Sequence, residues 1–177
     1  KKYSGQFVNS AFSLNSKNSN AAIIGGGDGG VARECLAKGF NLIDWYELDP
    51  EVVKVCYKHL PKICGEVKEN NSVKCYWGDA FESIKTVEDS KYDKIFIDLN
   101  DDQYCIDLAA KNMKSLKRIL KPDGVITAQV GCQSKKPKQV NGWLRVLSQN
   151  FGNSKLDEIF IPSFDCRWNF ASSILST

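Results

Sequence analysis

The stretch IIGGGDGGVARE, residues 23–34, constrains the fold of this chain more than any other segment. Two isoleucines run into five glycines within six positions, and Gly25-x-Gly27-x-x-Gly30 is the spacing of a nucleotide-binding loop between a buried strand and a helix. The exception among the six is Asp28. A carboxylate there would repel a pyrophosphate, because like charges ~4 Å apart cost about 4 kcal/mol at an effective dielectric of about 20. The loop therefore indicates a ligand without phosphate.

Apolar runs alternate with helical stretches along the rest of the chain. Strands are predicted at 21–24, 42–48, 73–77, 92–99, 125–130, 156–161 and 168–175, and helices at 31–38, 50–59, 106–120 and 141–149. Nearly continuous apolar strands joined by helices are typical of a parallel sheet covered on both faces. The last two strands are joined by a short Pro-Ser-Phe-Asp turn. We expect an α/β fold, with a mostly parallel seven-stranded sheet that ends in an antiparallel hairpin.

Composition narrows the class of protein further. A chain of 177 residues fits one domain, predicted at 21–177, and the Ser- and Asn-rich residues 1–20 are expected to be an arm or the remnant of a preceding domain. The net charge of +3 is too small to indicate a polyanion partner. Seven cysteines without a CxxC pair, and a single histidine, predict no zinc site and reduced cysteines in a cytoplasmic protein without a membrane span.

Acidic residues follow four successive predicted strands. In an open α/β sheet, ligands bind beyond the carboxyl ends of the strands, so we expect these acids to meet there. Helix capping alone could explain Asp49 and Asp79. Glu47 follows Gly25 by 22 positions, the spacing of an acid that accepts hydrogen bonds from ribose hydroxyls. A cation with adenine and ribose but no phosphate fits this pattern, namely S-adenosylmethionine or its decarboxylated form.

Five segments carry a family resemblance. IIGGGDGGVARE, YELDPEVVKVCYKHLP, WGDAFESI, YDKIFIDLND and LKPDGVITAQ resemble, in order and near the usual spacing, the motifs of the spermidine synthase family of aminopropyltransferases. The resemblance covers about residues 21–130. It implies a class I methyltransferase-like Rossmann fold. It also implies a transferase of polyamine biosynthesis, which moves an aminopropyl group from decarboxylated S-adenosylmethionine to a di- or polyamine without a metal.

The resemblance implies a role for each cofactor-side residue. Asp28 would hold the amino end of the cofactor, Glu47 the ribose, and Asp79 with Ala80 the adenine. The glycines of the loop would pass close to the cofactor. The residues predicted to bind it are Gly25, Gly26, Gly27, Asp28, Gly30, Glu47, Asp79 and Ala80.

On the amine side, the resemblance implies two catalytic carboxylates. Asp98 would be the base, or the acid that orients the attacking amine, and Asp101 a second ligand of the amine. Gln129 lies in the counterpart of a Gln-Gly-Glu segment, and Phe164 replaces a tyrosine of the family. Gln6 is the nearest counterpart of a glutamine that precedes the glycine loop.

The chain also departs from the family pattern. The gate loop reads DLNDDQY instead of Asp-x-x-Asp-Pro-x-Gly-Pro, and a basic loop, Lys135 to Lys138, follows residues 129–131. We expect the residues of this sequence to contain no counterpart of the family's N-terminal β-domain and C-terminal helices. Two alternatives stay open: a methyltransferase that uses S-adenosylmethionine, and a non-catalytic relic that binds the cofactor. A homodimer fits the sequence, a small amine is the expected substrate, and the basic loop leaves a nucleic-acid partner open.

Overall fold

A seven-stranded sheet forms the centre of the computed structural model, which describes residues 2–176. Its strands are β1 Asn20–Gly25, β2 Leu42–Glu47, β3 Val73–Trp77, β4 Tyr92–Asp98, β5 Leu120–Cys132, β6 Lys155–Ile161 and β7 Cys166–Ile174. Their order is β3-β2-β1-β4-β5-β7-β6. The first five strands are parallel, whereas β7 runs antiparallel to both β5 and β6. The predicted α/β fold with an antiparallel C-terminal hairpin is confirmed.

Helices cover both faces of this sheet. They are α1 Lys2–Phe12, α2 Gly30–Ala37, α3 Pro50–His59, α4 Pro61–Cys64, α5 Ala80–Ser83, α6 Gln103–Ile119 and α7 Pro137–Phe151. Alternate side chains of a strand point to opposite faces, so Ile95 and Ile97 of β4 pack in one core while Phe96 packs in the other. This two-sided burial explains why the strands read as continuous apolar runs. No helix within residues 2–176 is long and apolar enough to span a bilayer.

Several boundaries differ from the prediction for local reasons. Helix α6 begins at Gln103, ahead of the predicted 106, because the Asp102 side chain accepts a hydrogen bond from the Cys105 backbone N at 2.9 Å and caps the first turn. Helix α7 begins at Pro137, ahead of the predicted 141, with proline in its first turn. The short helices α4 and α5 were not predicted from the sequence.

The N-terminal segment folds onto the sheet as helix α1. Phe7 is fully buried, stacked on Phe170 with ring centroids 4.9 Å apart and edge-on to Phe96 at 5.6 Å. No helix was predicted here, since serines such as Ser4 and Ser10 interrupt the apolar pattern although both are buried. Whether residues 1–20 belong to a preceding domain stays a prediction, and Lys1 and Thr177 lie outside the described residues.

One pair of cysteines departs from the predicted reduced state. Cys132 ends β5 and Cys166 begins β7, and the structure pairs them as a disulfide with Cα atoms 6.3 Å apart. The antiparallel pairing of these strands brings together residues 34 positions apart, at a Cα separation normal for a disulfide. The prediction is therefore wrong for these two cysteines. The free ones are Cys35, Cys56, Cys64, Cys75 and Cys105.

Candidate active site

A cavity of about 540 Å³ lies beyond the carboxyl ends of β1 to β4. The predicted site residues that line it are Gly25, Gly26, Gly27, Glu47, Asp79, Ala80 and Asp98. Asp102 adds a fourth carboxylate, and none of the described residues that line the cavity is Lys, Arg or His. A cavity lined by one sign of charge attracts ligands of the opposite sign. Its wall therefore favours a cation and disfavours a phosphate.

The glycine loop lies directly against the end of β4. The backbone N of Gly26 donates a hydrogen bond to the backbone O of Asp98 at 3.0 Å. Gly25 and Gly26 have φ angles of 81° and 70°, which residues with a side chain rarely adopt. A Cβ added at Gly26 would lie 3.0 Å from Asp98 Oδ2. Glycine therefore allows the loop to run immediately beside the Asp98 carboxylate.

Asp28 has a structural contact inside the loop. Its Oδ1 accepts a hydrogen bond from the backbone N of Gly30 at 2.8 Å, at the start of α2. Asp28 and Gly30 are not among the residues that line the cavity. The negative charge of Asp28 nevertheless contributes to raising the pKa of Asp98, which places it within electrostatic range of the cavity.

Glu47 and Asp79 combine local hydrogen bonds with exposure to the cavity. Glu47 Oε1 accepts from the backbone N of Asp49 at 3.2 Å, and Asp79 Oδ1 caps α5 by accepting from Phe81 N at 2.8 Å. Asp49 caps α3 in the same way, through Glu51 N at 2.8 Å. The capping interpretation is thus correct for Asp49 and Asp79. Within residues 2–176, however, the second oxygens of Glu47 and Asp79 have no hydrogen-bond partner and can accept from a ligand.

Asp98 is held by a residue of helix α1. The hydroxyl of Tyr3 donates a hydrogen bond to Asp98 Oδ1 at 2.5 Å. The pKa of Asp98 is raised to about 7: burial raises it most, the Tyr3 hydrogen bond lowers it, and the charges of Asp28 and Glu47 raise it. Burial and the nearby Asp98 carboxylate raise the pKa of Tyr3 well above its usual value, so Tyr3 stays a neutral donor. Asp98 is therefore poised to take up a proton near neutral pH.

Tyr3 is not among the site residues predicted from the sequence, because residues 1–20 are expected to be an arm or the remnant of a preceding domain. The signal that could have found it is the spacing of Tyr3, Phe7 and Ala11, which lie on one face of a helix at intervals of four residues. Gln6, the predicted counterpart of a family glutamine, belongs to the same helix, but Tyr3 makes the contact with Asp98.

Tyr3→Phe should move the acid limb of the kcat profile to higher pH. The lost hydrogen bond no longer lowers the pKa of Asp98, so the base becomes protonated at a higher pH and turnover at pH 7 falls by about tenfold or less. Tyr104→Phe is the matched control, since Tyr104 lines the cavity and is 72% exposed. An acid limb that stays in place in Tyr3→Phe would remove Tyr3 from the control of Asp98.

Of the predicted amine-side residues, Asp98 lines the cavity, whereas Asp101, Gln129 and Phe164 lie outside its lining. Asp101 lies against Gly131, where an added Cβ would be 3.2 Å from Asp101 Oδ2. Phe164 is 43% exposed, and its ring packs against Trp168 with centroids 4.6 Å apart and edge-on to Tyr3 at 6.1 Å. Tyr3 thus connects this group to Asp98.

Gln129 is buried and uses both ends of its amide within the protein. Its Nε2 donates to the backbone O of Leu99, and its Oε1 accepts from Trp168 Nε1 at 3.1 Å. Leu99 follows Asp98 at the end of β4 and lines the cavity. Gln129 therefore holds the backbone beside Asp98, and a direct contact with substrate stays a prediction.

Comparison with known proteins places these features in one family. The model of the spermine/spermidine synthase domain matches residues 1–174. A polyamine aminopropyltransferase of Prochlorococcus marinus (strain MIT 9215) is 35% identical over 180 residues, which cover 98% of this chain and 63% of that protein. A polyamine aminopropyltransferase of Korarchaeum cryptofilum (strain OPF8) is 30% identical over 152 residues, covering 84% of this chain and 47% of the relative. This chain thus spans less than two thirds of their length.

Solved structures share the same fold. The spermidine synthase from Thermotoga maritima superimposes with a TM-score of 0.87 at 21% sequence identity, covering 98% of this chain and 60% of that one. A spermidine synthase in complex with the transition state analogue AdoDATO gives a TM-score of 0.88 at 20% identity, with the same coverage. The resemblance inferred from five motifs is confirmed, and the chain belongs to the spermine/spermidine synthase family.

Proposed function

We propose that this chain is an aminopropyltransferase, which moves an aminopropyl group from decarboxylated S-adenosylmethionine to an amine acceptor, for which the family resemblance implies the di- and polyamine class. The observation that carries the proposal is the cavity at the glycine loop, whose described lining holds four carboxylates and no basic side chain. Decarboxylated S-adenosylmethionine has a sulfonium and an ammonium but no anionic group. The sign of its charge therefore matches that of the cavity.

The residues around the cavity suit this cofactor in size and chemistry. A volume of about 540 Å³ is in the range of small-molecule sites. Glu47 would accept from the ribose hydroxyls, and Asp79 with Ala80 would hold the adenine next to the glycine loop. Asp28 would attract the cationic end. The related structure in complex with AdoDATO supports this assignment, since that protein binds a transition state analogue on the same fold.

Asp98 would act on the attacking amine. When bound, the cofactor supplies a carbon activated by its sulfonium. The amine nitrogen forms a bond to that carbon, the carbon–sulfur bond breaks, and a neutral thioether leaves. The nitrogen must lose a proton, and Asp98, with a pKa of about 7, would accept it. Tyr3 holds Oδ1, whereas Oδ2 lies over the glycine loop, so the proton is received on the side where the cofactor binds.

Methyl transfer from S-adenosylmethionine is less compatible with this cavity. The methionine carboxylate would meet acidic side chains, and no described residue that lines the cavity could neutralise it. The basic loop, which leaves a nucleic-acid partner open in the sequence, directs Lys135 to Phe164 and Lys136 to Asp101. Within residues 2–176, no cluster of side chains could hold a metal ion. A homodimer and a cytoplasmic location stay predictions from the sequence.

Asp28→Asn and Glu47→Gln should each weaken binding of decarboxylated S-adenosylmethionine by about 1.5–3 kcal/mol, the usual contribution of a hydrogen bond to a charged group. Both changes are isosteric, so the lost charge is the main difference. Isothermal titration calorimetry of the unmodified and variant proteins measures the effect. Asp49→Asn is the matched control: Asp49 accepts from Glu51 N at the start of α3 and does not line the cavity, whereas the charges of Asp28 and Glu47 act on Asp98 in the cavity wall.

The same calorimeter tests the proposed function. Titrating the unmodified protein with decarboxylated S-adenosylmethionine and, separately, with S-adenosylmethionine should show tighter binding of the decarboxylated form. Preference for the carboxylated form would support a methyltransferase. Tight binding of a nicotinamide dinucleotide, unaffected by either substitution, would show that the cavity does not select a nucleoside cation.

A further inference from the structure

The basic loop after β5 turns inward to the predicted amine-side residues. Lys136 Nζ lies 3.0 Å from Asp101 Oδ2, within salt-bridge distance, and 3.5 Å from the Asp101 backbone O. Lys135 Nζ donates to the backbone O of Phe164 at 2.9 Å. Two adjacent lysines therefore bridge the gate loop and the turn that carries Phe164.

The backbone of this loop holds the two lysines in place. The backbone N atoms of Lys135 and Lys136 both donate to the backbone O of Cys132, at 3.2 and 2.7 Å. Pro137 then starts helix α7, and its ring limits the backbone at Lys136. Cys132 is in turn paired with Cys166, two residues after Phe164. The position of Lys136 is thus defined by a tight turn attached to two strands.

Asp101 is the carboxylate expected to be a second ligand of the amine, and Lys136 already provides a cation there. An acceptor with two ammonium groups must displace Lys136 from Asp101 or place its second charge beside the lysine. Like charges at such short distances repel even in partly screened surroundings. The Lys136 side chain is 47% exposed and that of Asp101 24%, so the pair is accessible to an incoming amine.

We propose that Lys136 determines acceptor specificity: it occupies the cation subsite at Asp101 and selects amines whose far end carries no positive charge. The inference rests on the proposed function, since it assumes that the acceptor lies between Asp98 and Asp101. A neutral far end avoids the repulsion, and an anionic far end gains attraction to Lys136. The chain would then favour a monoamine or an amino acid over a diamine.

The test measures binding of three amines of matched chain length, namely 1,4-diaminobutane, butylamine and 4-aminobutyrate. Dissociation constants are determined by calorimetry, with and without saturating methylthioadenosine, for the unmodified protein and for Lys136→Gln. Removing an ion pair between partly exposed groups has little effect on stability, so this variant should fold. We expect Lys136→Gln to bind the diamine about tenfold more tightly, to bind butylamine within twofold of the original affinity, and to bind 4-aminobutyrate several-fold more weakly.

Two control variants distinguish the effect of the Lys136–Asp101 ion pair from the effect of the net charge of this segment. Lys138→Gln removes the same charge from an exposed residue two positions further on, in the first turn of α7, and should leave the ratio of the three affinities unchanged. Lys136→Arg keeps the charge and should keep the original ratio. Equal diamine affinity in the unmodified protein and Lys136→Gln, or an equal shift in Lys138→Gln, overturns the proposal.

The outcomes also distinguish this inference from the proposed function. Absence of binding by all three amines, in every variant, overturns the specificity proposal. Failure of decarboxylated S-adenosylmethionine to bind counts against the proposed function, whereas the amine affinity ratios are measured without it. Cofactor binding with unchanged amine ratios would overturn the role of Lys136 alone.

Discussion

Replacing Asp98 with asparagine is expected to reduce turnover by about 10²–10⁴-fold, while the affinity for decarboxylated S-adenosylmethionine stays within a few-fold. Asparagine retains an oxygen that can accept from Tyr3, so the shape of the site is kept, but it cannot take up the proton released by the attacking amine. Steady-state kinetics gives the turnover, and calorimetry gives the cofactor affinity. Unchanged turnover would remove Asp98 from the mechanism.

The stability of the same variant provides an internal control. The pKa of Asp98 is raised from 3.8 to about 7 in the folded protein, so the stability associated with its protonation is present at pH values below about 4 and is lost as the pH rises through 7. Asparagine carries no charge at any pH. At pH 8 we therefore expect the free energy of unfolding of Asp98→Asn to be about 1–3 kcal/mol higher than that of the unmodified protein. At pH 5 the difference between the two proteins should be smaller. If Asp98→Asn is inactive but its free energy of unfolding depends on pH in this way, the loss of activity does not come from unfolding.

Gly25→Ala should lower the free energy of unfolding by about 2–5 kcal/mol and abolish measurable cofactor binding. The new Cβ would clash with the backbone O of Asp98, and the φ angle of +81° is unfavourable for alanine. Relief of the clash would move the glycine loop away from β4, and with it the surface on which the cofactor is expected to lie. Urea denaturation measures the loss of stability, and calorimetry measures cofactor binding.

Gly152→Ala is the matched control for this prediction. Gly152 also has a positive φ angle, +90°, but a Cβ there would have no heavy atom within 4 Å. In Gly152→Ala the free energy of unfolding should fall by only about 1–2 kcal/mol, the cost of the positive φ angle for alanine, and cofactor affinity should be unchanged. Equal losses in the two variants would show that the approach of the loop to Asp98 has no energetic role.

The strands and the glycine loop could be predicted because their signals are local. Two-sided burial gives continuous apolar runs such as β4, and a short turn between β6 and β7 requires an antiparallel pair. Helix α1 has only a weak local signal, the four-residue spacing of Tyr3, Phe7 and Ala11. Ser4 and Ser10 are buried by the surfaces on which the helix packs, and a polar residue in the sequence does not reveal such burial.

The sequence predicts which acidic residues meet at the candidate site, but it does not predict which side chains contact them. Glu47 and Asp98 end strands and Asp79 follows one, and parallel strands end at one edge of the sheet, so their meeting at the cavity follows from topology. The contact between Tyr3 and Asp98 joins residues 95 positions apart and depends on how α1 packs. The direction of Lys136 depends likewise on the turn after Cys132, so its ion pair with Asp101 required the structure.

The most direct test of the proposed function is mass spectrometry of the amine products formed by the unmodified protein. The protein is incubated with a panel of mono-, di- and polyamines, in one series with decarboxylated S-adenosylmethionine and in the other with S-adenosylmethionine, and Asp98→Asn serves as the control. We predict amines that have gained one aminopropyl group in the first series, strongly reduced in the variant, and no methylated amine in the second. Methylated amines from S-adenosylmethionine, with no aminopropyl product from the decarboxylated form, would contradict the proposed function.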